Sequence, residues 1–485
     1  MTYVPLTQAR PHQVEACNRM RGKRAFALLM AMRTGKTKTA IDDFGEMELA
    51  GEVRDLLVLA PKGSYRTWTD EFAKHASTDL QDRALLHVWR SGGGANHDKS
   101  LRTLLASADL RVPRVLTMNI EALSMAKAAR QVAERFVTQR RAEIVVDEST
   151  TIKGHGTERT KFVVRKLKPL SSYRRILTGL PTPRDPLDLY YQFAFLDQGI
   201  LGAENYYAFR ARYAEMQKIV HPGTNRLVDI VVGFKPWATT ELNSLIDPFS
   251  YRIRLEDIVN LPVSYTFRHV DMTDEQRKTY RALKEQAIVE LASGGTVSAP
   301  MVIVRMLRLH QILMGYVKDV DGEIRELPER RTDALMELLE EYDGKAIIWV
   351  SYGFSVERVS QALEEKYGAA SVARFWGGNS NTREEDDRKF RSDPACRFMV
   401  ATPDSGGRGR RWDVADMVVY YSSRDNLEHR DQSEERAKDM TKTNATLYVD
   451  LIVPDTVEER IIKALRQKID LASAITGANY REWLI

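Results

Sequence analysis

AFALLMAMRTGKTKTA, Ala25 to Ala40, runs from an unbroken apolar segment through a short glycine-containing turn into an amphipathic one. Ala25 to Met30 reads as a strand buried on both faces, and Gly35 to Ala50 as the helix that follows it. A strand, a tight turn and Gly-Lys-Thr at the start of a helix form a cradle for phosphate. Backbone N–H groups and the helix N-terminus favour the anion, and Gly35 lets the main chain approach closely. Lys36 neutralises charge, and the Thr37 hydroxyl can ligate Mg²⁺. Met30 stands where the outer glycine of G-x-x-x-x-G-K-T would be, so the pattern is imperfect.

Outward from this loop the alternation continues. Leu56 to Ala60, Val115 to Met118, Glu143 to Asp147 and Arg174 to Thr178 read as further strands separated by helical stretches. Apolar strands alternating with helices predict an α/β fold with a parallel sheet covered on both faces. IVVDEST, Ile144 to Thr150, ends one such strand in two adjacent carboxylates, about 110 residues after the loop. Asp147 stands where a phosphate-loop fold holds Mg²⁺, and Glu148 where the attacking water would be oriented and deprotonated. The alternation stops near residue 200. Residues 201–325 read as mainly helical, with helices over Thr273 to Leu291 and Met301 to Met314 and a small-residue break at Gly294 and Gly295. It returns after Asp321-Gly322, with strands at Lys345 to Ser351, Val372 to Trp376, Arg397 to Thr402, Met417 to Tyr421 and Thr446 to Val453, and a closing helix from Thr456 to Ala474. The expected organisation is residues 1–200, 201–325 and 326–485.

Composition narrows the class. The chain has 485 residues, 43% of them hydrophobic, enough for several packed cores and too many for a disordered chain. A net charge of +5 is compatible with a polyanionic partner without requiring one. The two cysteines, Cys17 and Cys396, imply neither a disulfide framework nor a zinc site. With no basic-then-apolar leader and no apolar run of membrane-spanning length, a soluble intracellular protein is expected.

In order along the chain, the sequence resembles superfamily-2 helicases, and among them the Swi/Snf-related ATPases. Arg10-Pro11-His12-Gln13 is similar to the upstream glutamine motif, and LLVLAPKGSYRTWTDEF, Leu56 to Phe72, to motif Ia. TMNIEAL, Thr117 to Leu123, resembles motif Ib, DEST motif II, and LTGLPTPRDPLDLYYQFAFLD, Leu177 to Asp197, motif III. SGGRGRRWDVADMVVYYSS, Ser405 to Ser423, resembles motif V, and DQSEERAKD, Asp431 to Asp439, aligns with motif VI.

The resemblance implies two RecA-like domains with ATP and Mg²⁺ between them. Lys36, Asp147, Glu148 and Arg436 would be catalytic, with Thr37 and Asp147 on the metal. Arg10, Gln13, Arg33, Thr34, Gly35, Lys38, Gly409 and Gln432 would complete the nucleotide contacts. DNA would be contacted by Lys62, Thr117, Asn119, Thr178, Arg408, Arg411 and Trp412, with Thr178 also coupling the two sites. Trp68 and Phe72, at helical spacing, read as core, Tyr420 and Tyr421 as strand core, and the acidic run Glu384 to Asp387 as a solvated face.

Two departures from the family stand out. Motif VI has Asp439 where the family carries its second arginine, the arginine finger, and an acid there repels a triphosphate. Lys438, Lys442 or a motif V arginine are candidate replacements. Motif V carries Arg408, Arg410 and Arg411 followed by Trp412, where the family has an acid and apolar residues.

The expected activity is that of a DNA-dependent ATPase acting as helicase or translocase. The alternatives are an ATP-gated DNA clamp of weak turnover and an RNA-directed motor. Compact motors of this kind resemble those encoded by bacteriophages, which implies a cytoplasmic setting in a bacterial cell.

Overall fold

The computed structural model describes residues 2–179, 181–182, 185–220, 227–258, 263–293, 299–318, 323–406, 410–424, 426–438, 442 and 444–466. The expected break at Gly294 and Gly295, the Asp321-Gly322 pair and the end of the last helix as far as Ala474 lie outside these residues. The chain divides into two compact units, Met1–Ala214 with Phe234–Asn260, and Glu215–Gly233 with Leu261–Ile485.

In the first unit the apolar segments become strands β1 (Ala25–Met30), β2 (Asp55–Ala60), β3 (Leu85–Val88), β4 (Arg114–Asn119), β5 (Ala142–Asp147) and β6 (Tyr173–Leu177). After the strands β7 (Ala214–Val220) and β8 (Leu227–Phe234), which pair with each other, β9 (Ser250–Ile253) returns to this unit. The sheet order is β3-β4-β2-β5-β6-β1-β9, and every pairing is parallel. Every residue of β2 and β5 is buried, as a sheet covered on both faces requires. Helices α1 (Pro11–Met20), α2 (Lys36–Leu49) and α3 (Thr67–His75) cover one face, where Ala16, Met20, Ile41, Phe44, Trp68 and Phe72 pack on Phe26, Leu28, Val58 and Val145.

Charges are threaded through this sheet in pairs. Arg114 grips both oxygens of Asp55 at 3.0 and 2.5 Å, and Arg175 lies 2.7 Å from Asp43 and 3.7 Å from Glu143. Burial, reinforced by the charge of Asp43 and opposed by Arg175, raises the Glu143 carboxyl to about 8. Removing one member of such a pair leaves a buried charge uncompensated, which costs about 3–5 kcal/mol.

The second unit is built on β10 (Val263–His269), the hairpin β11 (Tyr316–Lys318) with β12 (Ile324–Glu326), and then β13 (Ala346–Trp349), β14 (Val372–Phe375), β15 (Phe398–Ala401), β16 (Met417–Tyr420) and β17 (Thr446–Ile452). Its sheet runs β10-β17-β16-β13-β15-β14, again all parallel. The 201–325 stretch contributes to both units. It supplies the helices Tyr206–Tyr213 and Ala238–Ile246 and strand β9 to the first, and the helices Asp274–Ser293 and Ala299–Leu313 and strand β10 to the second. Asp387, expected on a solvated face, is instead 2% exposed. Its neighbours in the acidic run, Glu384 and Glu385, are exposed as expected. Among the described residues no helix is long and apolar enough to cross a membrane.

Candidate nucleotide-binding site

The loop between β1 and α2 has two residues in the left-handed region, Arg33 at φ 65° and Gly35 at φ 87°. Alternating the handedness of successive residues turns backbone N–H groups toward a common point, a concavity suited to an anion. Gly35 is required twice over. Its conformation disfavours a side chain, and a Cβ added there would lie 2.0 Å from Gln13 Nε2. Helix α1 braces the loop from outside. His12 Nε2 donates to the Thr34 carbonyl at 2.8 Å, and Gln13 Nε2 donates to that of Gly35 at 3.3 Å. Gln13 Oε1 accepts from the Arg10 N–H at 2.8 Å, so the glutamine amide is engaged at both ends. Arg10 itself is exposed at the start of α1.

Lys36 reaches back across the loop, its Nζ donating to Met30 O at 2.9 Å and Ala31 O at 3.2 Å. Thr34 closes the turn with a 2.7 Å bond from its hydroxyl to Ala31 O, and Thr37 is half-buried on the first turn of α2. Lys38, nominated for nucleotide contact, is buried and paired with Asp42 at 2.5 Å one turn along α2. Its place is in the helix packing, because the fourth residue along the helix offers a carboxylate on the same face.

Asp147 ends β5, nearly buried at 7% exposure. Its Oδ2 accepts from Trp68 Nε1 at 2.9 Å and its Oδ1 from the Glu148 N–H at 3.0 Å. Burial raises its carboxyl, opposed by the Trp68 bond and by the charge of Lys36. Glu148 adopts φ 47° and ψ 63°, a left-handed conformation that is costly for a side-chain-bearing residue and concentrated at functional turns. The next residue, Ser149, donates to Gln192 Oε1 at 2.6 Å, and Gln192 Nε2 donates to Pro181 O and Asp188 O at 2.7 Å each. Thr178, 1% exposed, donates its N–H to Leu28 O on β1 at 3.1 Å. The end of β6 is thereby joined to the strand that carries the loop, and the Gln192 helix to the acidic turn. The Trp68 and Gln192 bonds were not foreseen from the sequence. Each joins residues far apart in the chain, and helical spacing alone marked Trp68 as core.

The residues nominated for DNA divide. Lys62 is exposed just beyond β2, and Asn119 is half-buried at the end of β4, opposite Ala60 in register. Both meet Glu121, whose carboxylate accepts from the Lys62 N–H at 3.2 Å and whose own N–H donates to Asn119 Oδ1 at 2.9 Å. Thr117, 0% exposed within β4, and Thr178, 1% exposed, are both withdrawn from any polymer on the surface. Trp412 is likewise 0% exposed. Its indole N–H donates to Asp387 at 2.7 Å, and its ring packs against Trp349 and Phe375, so it is a core residue of the second unit. The tryptophan needed a buried partner, and the chain supplies one from its own acidic helix. Arg411 beside it is exposed, 3.8 Å from Asp413.

Arg436 is 2% exposed, its Nε donating to Gln432 O at 2.8 Å and its Nη1 to Arg410 O at 2.7 Å. Gln432 is buried, its amide N–H on Glu428 at 3.2 Å. The candidate replacement cations are engaged with acids. Lys438 lies 2.9 Å from Glu435, Lys442 lies 2.9 Å from Asp416, and Arg410 lies 2.5 Å from Glu384. Arg408, Gly409 and Asp439 lie outside the described residues.

Comparison with known proteins places this geometry in a family. A family model described as SNF2-related domain matches residues 23–315, and one described as helicase conserved C-terminal domain matches residues 330–439. Putative protein p41 of Acyrthosiphon pisum secondary endosymbiont phage 1 is 24% identical over 494 residues, covering 98% of this chain and 99% of the relative. TATA-binding protein-associated factor mot1 of Aspergillus fumigatus is 25% identical over 378 residues and 69% of this chain, which spans 20% of that relative's length. Among solved structures, the Sulfolobus solfataricus SWI2/SNF2 ATPase core in complex with dsDNA is 23% identical, covering 99% of this chain and 96% of that one, with a TM-score of 0.43.

Proposed function

This chain belongs to the SNF2-related family, a group of helicase-like ATPases, and on that premise we propose that it hydrolyses ATP to move along or remodel DNA. The observation that carries the proposal is the meeting of the loop and the β5 carboxylates in one unit. β1 and β5 are both parallel neighbours of β6, so the loop and Asp147 leave the same edge of one sheet, and Glu148 follows in a strained turn.

In this proposal a triphosphate enters the concavity of Ala31–Gly35, and Lys36 exchanges two neutral carbonyls for phosphate oxygens. Asp147 and the Thr37 hydroxyl supply hard oxygen donors suited to Mg²⁺, which when bound adds charge stabilisation for phosphoryl transfer. Trp68 holds Asp147 in orientation, and Glu148 takes the proton of the attacking water. Gln13 sets the loop in place through its backbone, and an adenine contact would come from its exposed neighbour Arg10. Arg436 is the second unit's candidate for the transferred phosphate. Lys62, Asn119 and Arg411, with Arg408, are proposed as phosphate-tracking contacts that carry little sequence information.

One observation favours a second proposal, a nucleotide-gated clamp with weak turnover. Lys438 and Lys442 already hold carboxylate partners, and Asp439 stands at the finger position. Steady-state phosphate release at low salt, measured without nucleic acid and with single-stranded, duplex and forked DNA and single-stranded RNA, separates the two. Strong stimulation by one DNA form is expected. ATP binding without turnover on any of them would replace the motor with the clamp, and stimulation by RNA alone would replace the track. A strand-displacement assay on the fork reads whether translocation extends to unwinding.

A further inference from the structure

Beyond the nucleotide site, the first unit carries a cluster of rings at its surface. His155, exposed after the turn that follows Glu148, stacks on Tyr206 with ring centroids 4.4 Å apart and an interplanar angle of 14°. Tyr191 stacks 5.8 Å away on the same imidazole, and Tyr207 meets it edge-on at 5.3 Å. The two imidazole nitrogens lie 2.8 Å from the Tyr191 hydroxyl and 3.2 Å from the Tyr207 hydroxyl. The polar tips therefore fix one another. Tyr207 remains 59% exposed. Rings that only filled a core would be covered, whereas these are ordered by their own hydrogen bonds at the boundary with water.

The electrostatic surroundings point the same way. After burial, the influences that push His155 down are the charges of Arg210, Arg165 and Lys161. Arg210 lies over the Tyr207 ring at 5.5 Å, and among the described residues neither Arg210 nor Arg165 has an ion-pair partner. The nearby acids are largely engaged. Glu158 lies 3.0 Å from Lys161 and Asp188 3.4 Å from Lys153, while Asp185 caps the Leu187 N–H. Rings that reach the surface at His155 and Tyr207, beside cations without ion-pair partners, suit unpaired bases with their phosphates. Duplex DNA stacks its base faces on one another and offers such rings only its ends.

We propose that His155, Tyr191, Tyr206 and Tyr207, flanked by Arg165 and Arg210, form a platform on which the bases of single-stranded DNA stack. This rests on the proposed function only in taking DNA as the polymer. The platform is wired to the acidic turn, because Tyr191 directly precedes Gln192, whose side chain accepts the 2.6 Å bond from Ser149 next to Glu148. A strand seated there is felt one residue from the proposed base.

The test is fluorescence anisotropy of the full chain, without nucleotide and at low salt, on a labelled thymidine oligonucleotide and on a blunt duplex. Tyr207→Ala and His155→Ala are each expected to weaken single-strand affinity by about tenfold, the size of one base–aromatic stack, with duplex affinity unchanged. Tyr207→Phe, which keeps the ring and loses only the hydroxyl bond, is expected to bind like the parent. Photocrosslinking of a 5-iodouracil oligonucleotide to unaltered protein is expected to label residues 155–207, and requires no folded variant. Alanine variants that bind the single strand like the parent, or lose both polymers equally, overturn the platform, as do crosslinks confined elsewhere. A parent that binds duplex but not single strand overturns the platform and leaves the motor. One that binds neither overturns both.

Discussion

The loop after β1 and the segment from Arg410 to Lys442 are both rich in cations, and apart from Arg436, which like Lys36 is bonded to two main-chain carbonyls, the second segment uses them differently. In the first unit Lys36 is bonded to two main-chain carbonyls. In the second, Arg410, Lys438 and Lys442 each face a carboxylate at 2.5 to 2.9 Å. A carbonyl partner is neutral and leaves the field of the cation intact, whereas a carboxylate cancels it. Counting basic residues in a motif therefore overstates what a phosphate would encounter. The partners decide.

Four substitutions sharpen or break this contrast. Glu148→Gln has the largest expected effect: ATP binding persists while kcat falls by about 10²–10⁴-fold, the usual worth of general base catalysis. A variant hydrolysing at the parental rate would remove Glu148 from the chemistry. Lys36→Ala is expected to lower kcat by about 10²–10³-fold, as loss of one preorganised charge contact does, with circular dichroism unchanged. Trp412→Ala moves to the second unit and is expected to act on stability, lowering it by about 3–5 kcal/mol in denaturant unfolding because a fully buried ring is lost. Weaker DNA binding at unchanged stability would instead restore Trp412 to the surface role. Trp68→Phe is expected to cost about 1.5–3 kcal/mol, the range for a hydrogen bond to a charged group, read as a raised Mg²⁺ requirement for ATPase activity. An unchanged Mg²⁺ dependence would show that Asp147 is oriented without the indole.

Much of the fold was legible because parallel strands buried on both faces announce themselves as apolar runs. β1, β2, β4, β5, β6 and the strands of the second sheet from β13 to β17 fall where that pattern placed them. β3 and β7 to β12 were not seen. β3 and β9 have four residues each, and β10 alternates polar with apolar at the sheet edge, with most of its side chains exposed. At the candidate site, contiguous motifs carried their own local geometry, with Gly35, Lys36 and Thr37 at one helix start and Asp147 and Glu148 at one strand end. Three residues nominated through the motifs are instead buried. Thr117 is buried within β4, Lys38 serves Asp42, and Trp412 serves Asp387, and for the last two the deciding partner lies on another turn or another element. The bond from Trp68 to Asp147 spans 79 residues and leaves no local trace in sequence.

Strand β9 has a mechanical consequence. It pairs with β1 over Ala27↔Ser250 to Met30↔Ile253, and the ladder ends with the Ala31 N–H donating to Ile253 O at 2.9 Å, on the first residue of the phosphate loop. The chain leaves β9 for the second unit, so any tension along that connection enters the first unit on the strand beside the loop. Parallel strands pulled along their length load their hydrogen bonds in shear, sharing the force along the ladder instead of opening one bond at a time. The same splice ends on the backbone of Ala31, so the first residue of the loop is held by β9 as well as by its own strand.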